Sequence, residues 1–158
     1  MLSMKAKYAL RALLLLAQEN CVAIIDKETP QKMLASKAIA QMTGVPLKFL
    51  EAILQQLRQA GIVDSKRGIF GGFFLARPAD KIIVGQIIRC IDGHLAPIRC
   101  ASLTAYQKCD DCVDEISCTI RKTMLDVRNA ISDVLDGRTL ADMAQLEQNA
   151  KYAYGDGI

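Results

Sequence analysis

The sequence is poor in aromatic residues and in histidine. It has no tryptophan, an aromatic fraction of 5% and a single histidine, His94. It also has no phosphate-binding loop of the form GxxxxGK[ST], no paired carboxylates and no Cys–His dyad. Little is left from which to build an active site, so we expect a protein that is not an enzyme.

Long hydrophobic runs are absent as well. The longest apolar stretch, from Ala12 to Ala17, is preceded by Arg11 and is far shorter than the roughly 20 residues of a membrane span. Lys5 and Lys7 are dispersed through this segment and no small-residue cleavage site precedes Gln18, which argues against a signal peptide. We therefore expect a cytoplasmic protein that does not enter the membrane and keeps its thiols reduced. The net charge of +3 permits a nucleic-acid partner but does not demand one.

The first half of the chain predicts a helix-turn-helix. Residues 3–18 have the periodicity of an amphipathic helix with Ser3 as its N-cap, and an extended segment over 19–34 carries a short strand at Val22 to Ile25. Ser36 is predicted to cap a helix from Lys37 to Thr43, Gly44 to make the turn, and a second amphipathic helix to run from Pro46 to Ala60. Many helical proteins contain such a pair, so the pattern is weak alone.

The residues that follow make the helix-turn-helix prediction more specific. Ile62 to Ser65 and Phe73 to Ala76 read as two strands around a glycine-rich, basic tip at 66–72. A helix-turn-helix followed directly by a basic hairpin is typical of a winged helix. The alternative, an ordinary glycine loop of an α+β enzyme, is less consistent with the preceding helices.

The second half predicts a connecting helix, a cysteine loop and a long helix. A helix over 85–91 leads into a loop over 94–118, and a longer helix of about 17 residues starts at Thr119. A narrow apolar seam at spacings of four and three predicts that this helix packs on its copy in a homodimer. The seam residues are Ile120, Met124, Val127, Ile131 and Val134. Thr139 is predicted to cap a closing turn, Leu140 to Gln145.

The resulting fold class is mainly α with a small β-hairpin wing: a winged helix-turn-helix domain plus a long C-terminal dimerisation helix. We divide the chain into a DNA-binding domain at 1–80, a connecting helix and sensor loop at 81–118, a dimerisation helix and closing turn at 119–145, and a flexible tail at 146–158.

This arrangement resembles the IscR-like winged-helix transcription regulators of bacteria, many of which carry an iron–sulfur cluster. The most specific match is the wing, Arg67-Gly68-x-x-Gly71-Gly72-Phe73-x-Leu75-Ala76-Arg77-Pro78. Further matches are Lys7-Tyr8-Ala9, Phe49-Leu50-Glu51 and Thr139-Leu140-Ala141-Asp142. Ile69 and Phe70 depart from the usual proline and glycine, which makes this wing tip bulkier and more apolar.

The resemblance implies that the second helix enters the major groove of operator DNA and that Arg67 enters the minor groove. Glu51 suits cytosine N4, Lys48 suits phosphate or guanine, and Arg67 suits a narrow minor groove. Lys48 and Glu51 fit equally well as a solvated lysine and a helix-stabilising charge. The residues predicted to contact DNA are Lys5, Lys7, Ser36, Lys37, Pro46, Lys48, Phe49, Glu51, Lys66, Arg67 and Gly68.

Of the six cysteines, four lie in the loop with the spacing C-x8-C-x2-C-x5-C: Cys100, Cys109, Cys112 and Cys118. We favour an iron–sulfur cluster, 2Fe–2S or 4Fe–4S, on these four thiolates. Metal-free thiol chemistry, with Cys109 and Cys112 as the pair, is the second interpretation, and structural zinc is the third. In the family that this chain resembles, some members use a histidine three residues after the last cysteine; here that residue is Arg121. Cys21, Cys90 and His94 are expected to lie outside the site.

The function predicted from these observations is a homodimeric DNA-binding regulator, controlled by the redox or metal state of its cysteine loop. A thiol or electron-transfer protein and a protein-interaction adaptor are the rival classes. Salt-dependent binding to duplex DNA separates the first class from the other two.

Overall fold

The structure is a computed structural model that describes residues 2–19 and 32–154. The segment predicted to hold a strand at Val22 to Ile25, together with Cys21, lies outside the described residues. The helices are α1 (Met4–Glu19), α2 (Ser36–Thr43), α3 (Leu47–Gln59), α4 (Val84–Asp92), α5 (Thr119–Asp136) and α6 (Leu140–Tyr154). The strands are β1 (Val63–Lys66) and β2 (Gly72–Leu75), and two 3-10 turns cover Ala79–Lys81 and Arg99–Ala101.

Helix α1 is the centre of the packing. Its alanines at 6, 9 and 12 are fully buried, which lets neighbouring helices approach closely, and Leu13 and Leu16 fill the core beside them. It packs against α2, α3, α4, α6 and β2. The predicted cap holds, since Ser3 Oγ accepts a hydrogen bond of 3.0 Å from the Ala6 N–H. The other core side chains come from every element except α5, whose side chains are all at least partly exposed.

The two strands form the predicted antiparallel hairpin, with Val63 opposite Leu75 and Lys66 opposite Gly72. Leu34 extends the sheet: its N–H donates to Phe73 O at 3.0 Å, and the Phe73 N–H donates to Leu34 O at 2.8 Å. This approach needs a glycine at position 72, where an added Cβ would lie 2.5 Å from the Leu34 carbonyl carbon. The start of β2, on the tip side of the hairpin, is therefore fixed on the segment that leads into α2.

Two sequence predictions about helix ends were wrong. Ser36 is the first residue of α2 and not its cap; the N-cap is Ala35, which makes no side-chain hydrogen bond. The element after Thr139 is a helix of 15 residues and not a closing turn. Its cap was predicted correctly, because Thr139 Oγ1 accepts from the Asp142 N–H at 3.1 Å and Asp142 Oδ2 accepts from the Thr139 N–H at 2.8 Å. The residues after Gln145 include several good helix formers, Leu146, Glu147, Gln148, Ala150 and Lys151, so the helix continues.

Helix α5 contacts other elements at both its C-terminus and its N-terminus. At its C-terminus, Asp136 accepts two hydrogen bonds from the Arg89 guanidinium of α4, at 2.7 and 2.6 Å. The pair lies over Gly85, where an added Cβ would meet Asp136 Oδ1 at 2.0 Å. At its N-terminus, α5 contacts the 3-10 turn Arg99–Ala101. Among the described residues, no helix is long and apolar enough to cross a membrane.

Candidate DNA interface and thiol loop

Helix α3 has one face in the core and one in solvent. Leu50, Ile53, Leu54 and Leu57 are fully buried and fix its orientation. On the opposite face Lys48, Phe49 and Glu51 are exposed, Phe49 to 63%. Pro46 is the N-cap and makes no side-chain hydrogen bond, so its side chain does not cap the first N–H groups of the helix. Free N–H groups at a helix N-terminus suit a phosphate oxygen. The predicted contact residues at 46, 48, 49 and 51 therefore share one accessible end of α3.

The hairpin stands beside this helix. Arg58, in the last turn of α3, donates to Ser65 Oγ of β1 at 3.1 Å, which joins the helix to the strand. Lys66, Arg67 and Gly68 are exposed near the tip. The structure thus brings the predicted wing residues and the predicted recognition helix into one unit.

The remaining predicted DNA contacts are more scattered. Ser36 is partly buried at the start of α2, whereas Lys37 and Lys7 are exposed. Lys5 lies at the other end of α3, where its Nζ donates to Gln56 Oε1 at 2.6 Å. Gln56 in turn donates from Nε2 to Cys90 O at 2.6 Å and so connects α3 to α4. Sequence reasoning missed Gln56, although a polar residue between Ile53 and Leu57 on an apolar face was a visible signal.

The cysteines outside the loop fit their prediction where they are described. Cys90 is partly buried and packs against the core, and burial raises the pKa of its thiol while the charge of Lys5 lowers it. His94 is also partly buried, with Nδ1 3.1 Å from Ala96 O.

The four loop cysteines lie near one another, and the pairs that most affect each other's ionisation are Cys100 with Cys109 and Cys112 with Cys118. The hydrogen bond to Cys100, burial and the charges of Cys100 and Asp111 raise the pKa of Cys109 to about 11. Burial, the hydrogen bond to Cys118 and the charge of Cys118 raise the pKa of Cys112. With the pKa of each raised, Cys109 and Cys112 stay protonated at neutral pH unless a cation displaces the protons.

A cavity of about 430 Å³ opens beside the first pair, lined by Cys100, Cys109, Lys108 and Asp110 among others. Within the described residues, no three side chains of histidine, cysteine, aspartate or glutamate are close enough together to hold one metal ion. The loop thus supplies thiol donors and adjacent space, arranged as two pairs and not as a closed four-ligand site.

The loop is attached directly to α5. Cys118 is the N-cap residue of this helix, and its Sγ accepts from the Arg121 N–H at 3.4 Å. Arg121 Nε donates to Cys100 O at 3.0 Å, and Arg128 Nη1 donates to Ala101 O at 3.2 Å. Sequence reasoning considered Arg121 only as the absence of a histidine. The spacing of seven residues between two arginines, which places them on one helix face, was the available signal.

The predicted seam of α5 is largely uncovered. Ile120 is exposed to 67%, Val127 to 38% and Val134 to 62%, while Met124 and Ile131 are partly buried. Next to the seam, an apolar groove of about 880 Å³ runs between α1, α4, α5 and α6. Its apolar lining includes Leu10, Ile88, Ile131, Val134, Met143 and Leu146. Seam and groove share Ile131 and Val134 and therefore form one continuous apolar surface.

Comparison with known proteins gives consistent matches along the chain. A family model described as "Rrf2: Iron-dependent Transcriptional regulator" matches residues 2–146. An rrf2-like HTH-type transcriptional regulator of Rhodobacter capsulatus is 43% identical over 143 residues, which cover 90% of this chain and 91% of that protein.

Among solved structures, CymR, described as the global cysteine regulator of B. subtilis, superposes with a TM-score of 0.70 at 30% identity, covering 92% of this chain and 97% of that one. IscR of T. potens gives a TM-score of 0.67 at 31% identity, covering 98% of this chain and 90% of that one. Both structures match nearly the whole chain, so the likeness extends beyond the helix-turn-helix to the cysteine loop and α5.

Proposed function

Because the chain belongs to the Rrf2 family of transcriptional regulators, it is a DNA-binding transcription regulator and not an enzyme, and we propose that it is a cytoplasmic homodimer whose operator binding is controlled by an iron–sulfur cluster. The observation that carries this proposal is the position of the thiol loop. Four cysteine thiols lie in the loop that ends at the N-cap residue of the helix that bears the uncovered apolar seam.

We assign the DNA contacts to the exposed N-terminal end of α3 and to the wing. Lys48 and Glu51 are free to meet base edges in the major groove, and the N-terminus of α3 is suited to a backbone phosphate. Arg67, exposed near the hairpin tip, is suited to the minor groove. Lys7, Lys37 and Lys66 would add phosphate contacts, which supply affinity without base specificity.

We assign the dimer contact to the seam of α5 and the adjoining groove. A second copy is the occupant that fits best, because the seam repeats at the spacing of a helix that packs on its equivalent. The groove continues the same apolar surface across Ile131 and Val134. Burial of Ile120, Val127 and Val134 in this contact would remove the largest exposed apolar side chains of α5 from water.

The residues of the loop fit an iron–sulfur cluster in donor chemistry. Such clusters are held by cysteine thiolates, and Cys100, Cys109, Cys112 and Cys118 supply four of them beside an open cavity. When bound, a cluster would supply a one-electron redox centre that responds to iron supply and to oxidants. Closing the two thiol pairs around one group would require the segment between Cys100 and Cys118 to rearrange.

Such a rearrangement has a direct path to α5. Cys118 caps the helix, Arg121 and Arg128 hold the turn at Arg99–Ala101 against it, and the seam begins at Ile120. A shift of the loop would therefore reach the dimer contact and change the separation of the two DNA-binding units. Moving a two-state equilibrium from 1:99 to 99:1 requires about 5.5 kcal/mol of differential binding, which metal–thiolate bonding can supply.

The test is an absorption spectrum with an iron and sulfide assay on protein purified without oxygen. We expect a coloured protein whose charge-transfer bands are lost in Cys112→Ser and in Cys118→Ser. Cys90→Ser is the matched control, because Cys90 packs under α3 and outside the loop. A colourless protein with bound zinc, or bands that survive both loop substitutions, would overturn the cluster proposal and leave the DNA-binding assignment standing.

A metal-free thiol switch is the second candidate, and the nearness of the loop thiols favours it. Because Cys109 is influenced most by Cys100, and Cys118 is the thiol with the largest influence on Cys112, the disulfides we expect are Cys100–Cys109 and Cys112–Cys118. Oxidation by a disulfide donor such as oxidised glutathione would form each S–S bond while the donor's own S–S bond breaks, and the two electrons and two protons would reduce the donor to two thiols. Peptide mapping of the oxidised, metal-free protein would identify the bonds.

A further inference from the structure

The tip of the wing carries two large apolar side chains in open solvent. Ile69 is exposed to 97% and Phe70 to 89%, the highest exposures of any large hydrophobic side chain in the hairpin. Neither belongs to the hydrophobic core or packs against it. Single exposed apolar residues are common, but two adjacent ones without support are an unusual use of a loop tip.

The tip is a defined turn and not a loose loop. The Gly71 N–H donates to Gly68 O at 2.9 Å, so Ile69 and Phe70 occupy the two central positions of the turn. Gly68 has a φ of +126°, and an added Cβ at Gly71 would lie 2.2 Å from Lys66 O. Both flanking positions therefore require glycine. Central turn positions usually hold small or polar residues, so isoleucine and phenylalanine are locally unfavourable here. Packing against the hydrophobic core does not compensate for this.

The surroundings of the tip indicate what the pair meets. Lys66 and Arg67 precede it and are exposed, so the apolar tip has two cations at its base. The hairpin is attached to α3 through Arg58 and Ser65, at 3.1 Å. A partner that contacts α3 would thus meet a narrow ribbon with a cationic base and an apolar end.

We propose that Ile69 and Phe70 form a wedge that enters the minor groove and separates two base pairs, so that the duplex bends; this inference rests on the proposed DNA contact of α3 and the wing. Proteins that bend DNA from the minor groove insert phenylalanine, isoleucine or similar side chains between base steps. Lys66 and Arg67 would hold the adjacent phosphates and groove floor. Because pyrimidine–purine steps unstack most easily, the wedge selects a flexible step at a position that no hydrogen bond reads.

The test uses a duplex selected from a random-sequence library by the unaltered protein, labelled at both ends for energy transfer. A second copy of the duplex carries 2-aminopurine at the step under the wing, where unstacking raises fluorescence. We expect the unaltered protein to bring the ends closer and to raise the fluorescence. Phe70→Ala and Ile69→Ala should reduce both signals, and the double variant should lose about tenfold in affinity, as expected for loss of side-chain stacking on a base.

Matched variants separate the wedge from general effects. Phe70→Leu retains an apolar wedge and should keep most of the bend. Met4→Ala removes an exposed apolar side chain, at 57%, from α1, outside the wing and the cysteine loop, and should change neither signal. All variants should keep the melting temperature of the unaltered protein, because neither tip side chain contributes to the core.

The proposal is overturned if the double variant binds and bends the selected duplex as the unaltered protein does. It is also overturned if the double variant instead loses binding to vesicles of anionic lipid, since a cationic and apolar tip suits a membrane surface by the same chemistry. An unaltered protein that selects and binds no duplex would refute the proposed DNA contact itself. Unchanged binding with an unchanged straight duplex would refute the wedge alone.

Discussion

The ion pair between Arg89 and Asp136 shows how a single contact fixes a whole helix. Its two hydrogen bonds join α4 to the last turn of α5, and Gly85 leaves room for them. The hydrogen bonds from Arg89 lower the pKa of Asp136, and the same contact raises the pKa of Arg89. Both side chains are partly exposed, so solvent screens the pair and its contribution to stability is modest.

Asp136→Asn should therefore lower the free energy of unfolding by no more than about 1 kcal/mol at neutral pH. Because the pKa of the folded-state carboxyl is depressed, this contribution is complete above the ordinary aspartate pKa of about 3.9 and is lost as the pH falls through the lowered value. Urea unfolding of both proteins at pH 7 and in acid measures it: the difference should vanish in acid. Asp126→Asn, on the exposed surface of the same helix, is the control, and an equal loss there would disprove the assignment.

At the residue scale, a sequence indicates candidate donors more readily than the residues that hold them in place. Cysteine spacing and the basic hairpin point to the thiols and to Arg67 as candidates, because their chemistry is visible in residue type. Arg121, Arg128 and Gln56 act on backbone carbonyls of residues 21, 27 and 34 positions away along the chain. Such partners are defined only by the fold, so residue type alone could not identify them.

At the scale of elements, α5 is the connection between the thiol loop and the proposed dimer contact. It buries none of its own side chains, yet its first turn is held to Cys100 and its second part to Ala101 through two arginines. A helix with so little burial depends on these contacts for its position.

Arg121→Gln combined with Arg128→Gln should uncouple the loop from α5. We expect the double variant to bind its metal group but to show a several-fold smaller difference in operator affinity between its loaded and metal-free forms, because the loop no longer moves the helix. Fluorescence anisotropy of both forms on the same duplex measures this difference. Lys122→Gln together with Lys81→Gln removes the same charge without those contacts and should leave the response intact. An undiminished response in the arginine variant would disprove the connection.

The apolar seam of α5 predicts that the protein is a dimer. Ile131→Glu places a charge where the seam and the groove meet, and an unpaired charge buried in a contact costs several kcal/mol. The dimer should therefore weaken by about 100-fold or more and sediment as a monomer at micromolar concentration. Asp133→Lys, an equal disturbance on the exposed face of α5, should leave the dimer intact. A dimer that persists in Ile131→Glu would mean that another surface carries the contact.

Element types were largely predictable and element ends were not. The helix-turn-helix, the hairpin and the long helix follow from strong periodicity and from glycines at 44, 61 and 93, which all have positive φ. Helix α6 was predicted too short because its buried residues, Leu140 and Ala144, lie near its start. The later residues alternate between apolar and polar without a clear helical stripe, which leaves a weak pattern to detect.

At the scale of the whole molecule, a net charge of only +3 must be distributed unevenly for DNA binding to succeed. The exposed basic residues near α3 and the wing, Lys37, Lys48, Lys66 and Arg67, are one such concentration. The net charge gave little indication of this basic surface, because the sequence alone does not show which residues lie on the same side of the molecule.

The logarithm of DNA affinity should fall linearly with the logarithm of salt concentration, with a slope set by the phosphates contacted. Lys66→Gln should reduce this slope by about 1 and weaken binding on all sequences alike. Lys48→Gln should do the same if it meets phosphate, but should relax sequence preference if it meets a base. Lys81→Gln, a lysine paired with Asp80 beyond the hairpin, is the control. An affinity that does not depend on salt would disprove the interface.

Cys118 is both the last thiol of the loop and the cap of α5, so the thiol loop and the helix are joined with no intervening residue. A flexible linker between the loop and the helix would absorb part of any displacement of the loop, and no such linker is present here. Since each residue advances a helix by about 100°, the angle between the thiols and the seam is set by sequence position alone. One residue inserted after Cys118 would rotate the seam out of phase with the loop, and would leave every donor and every seam side chain in place.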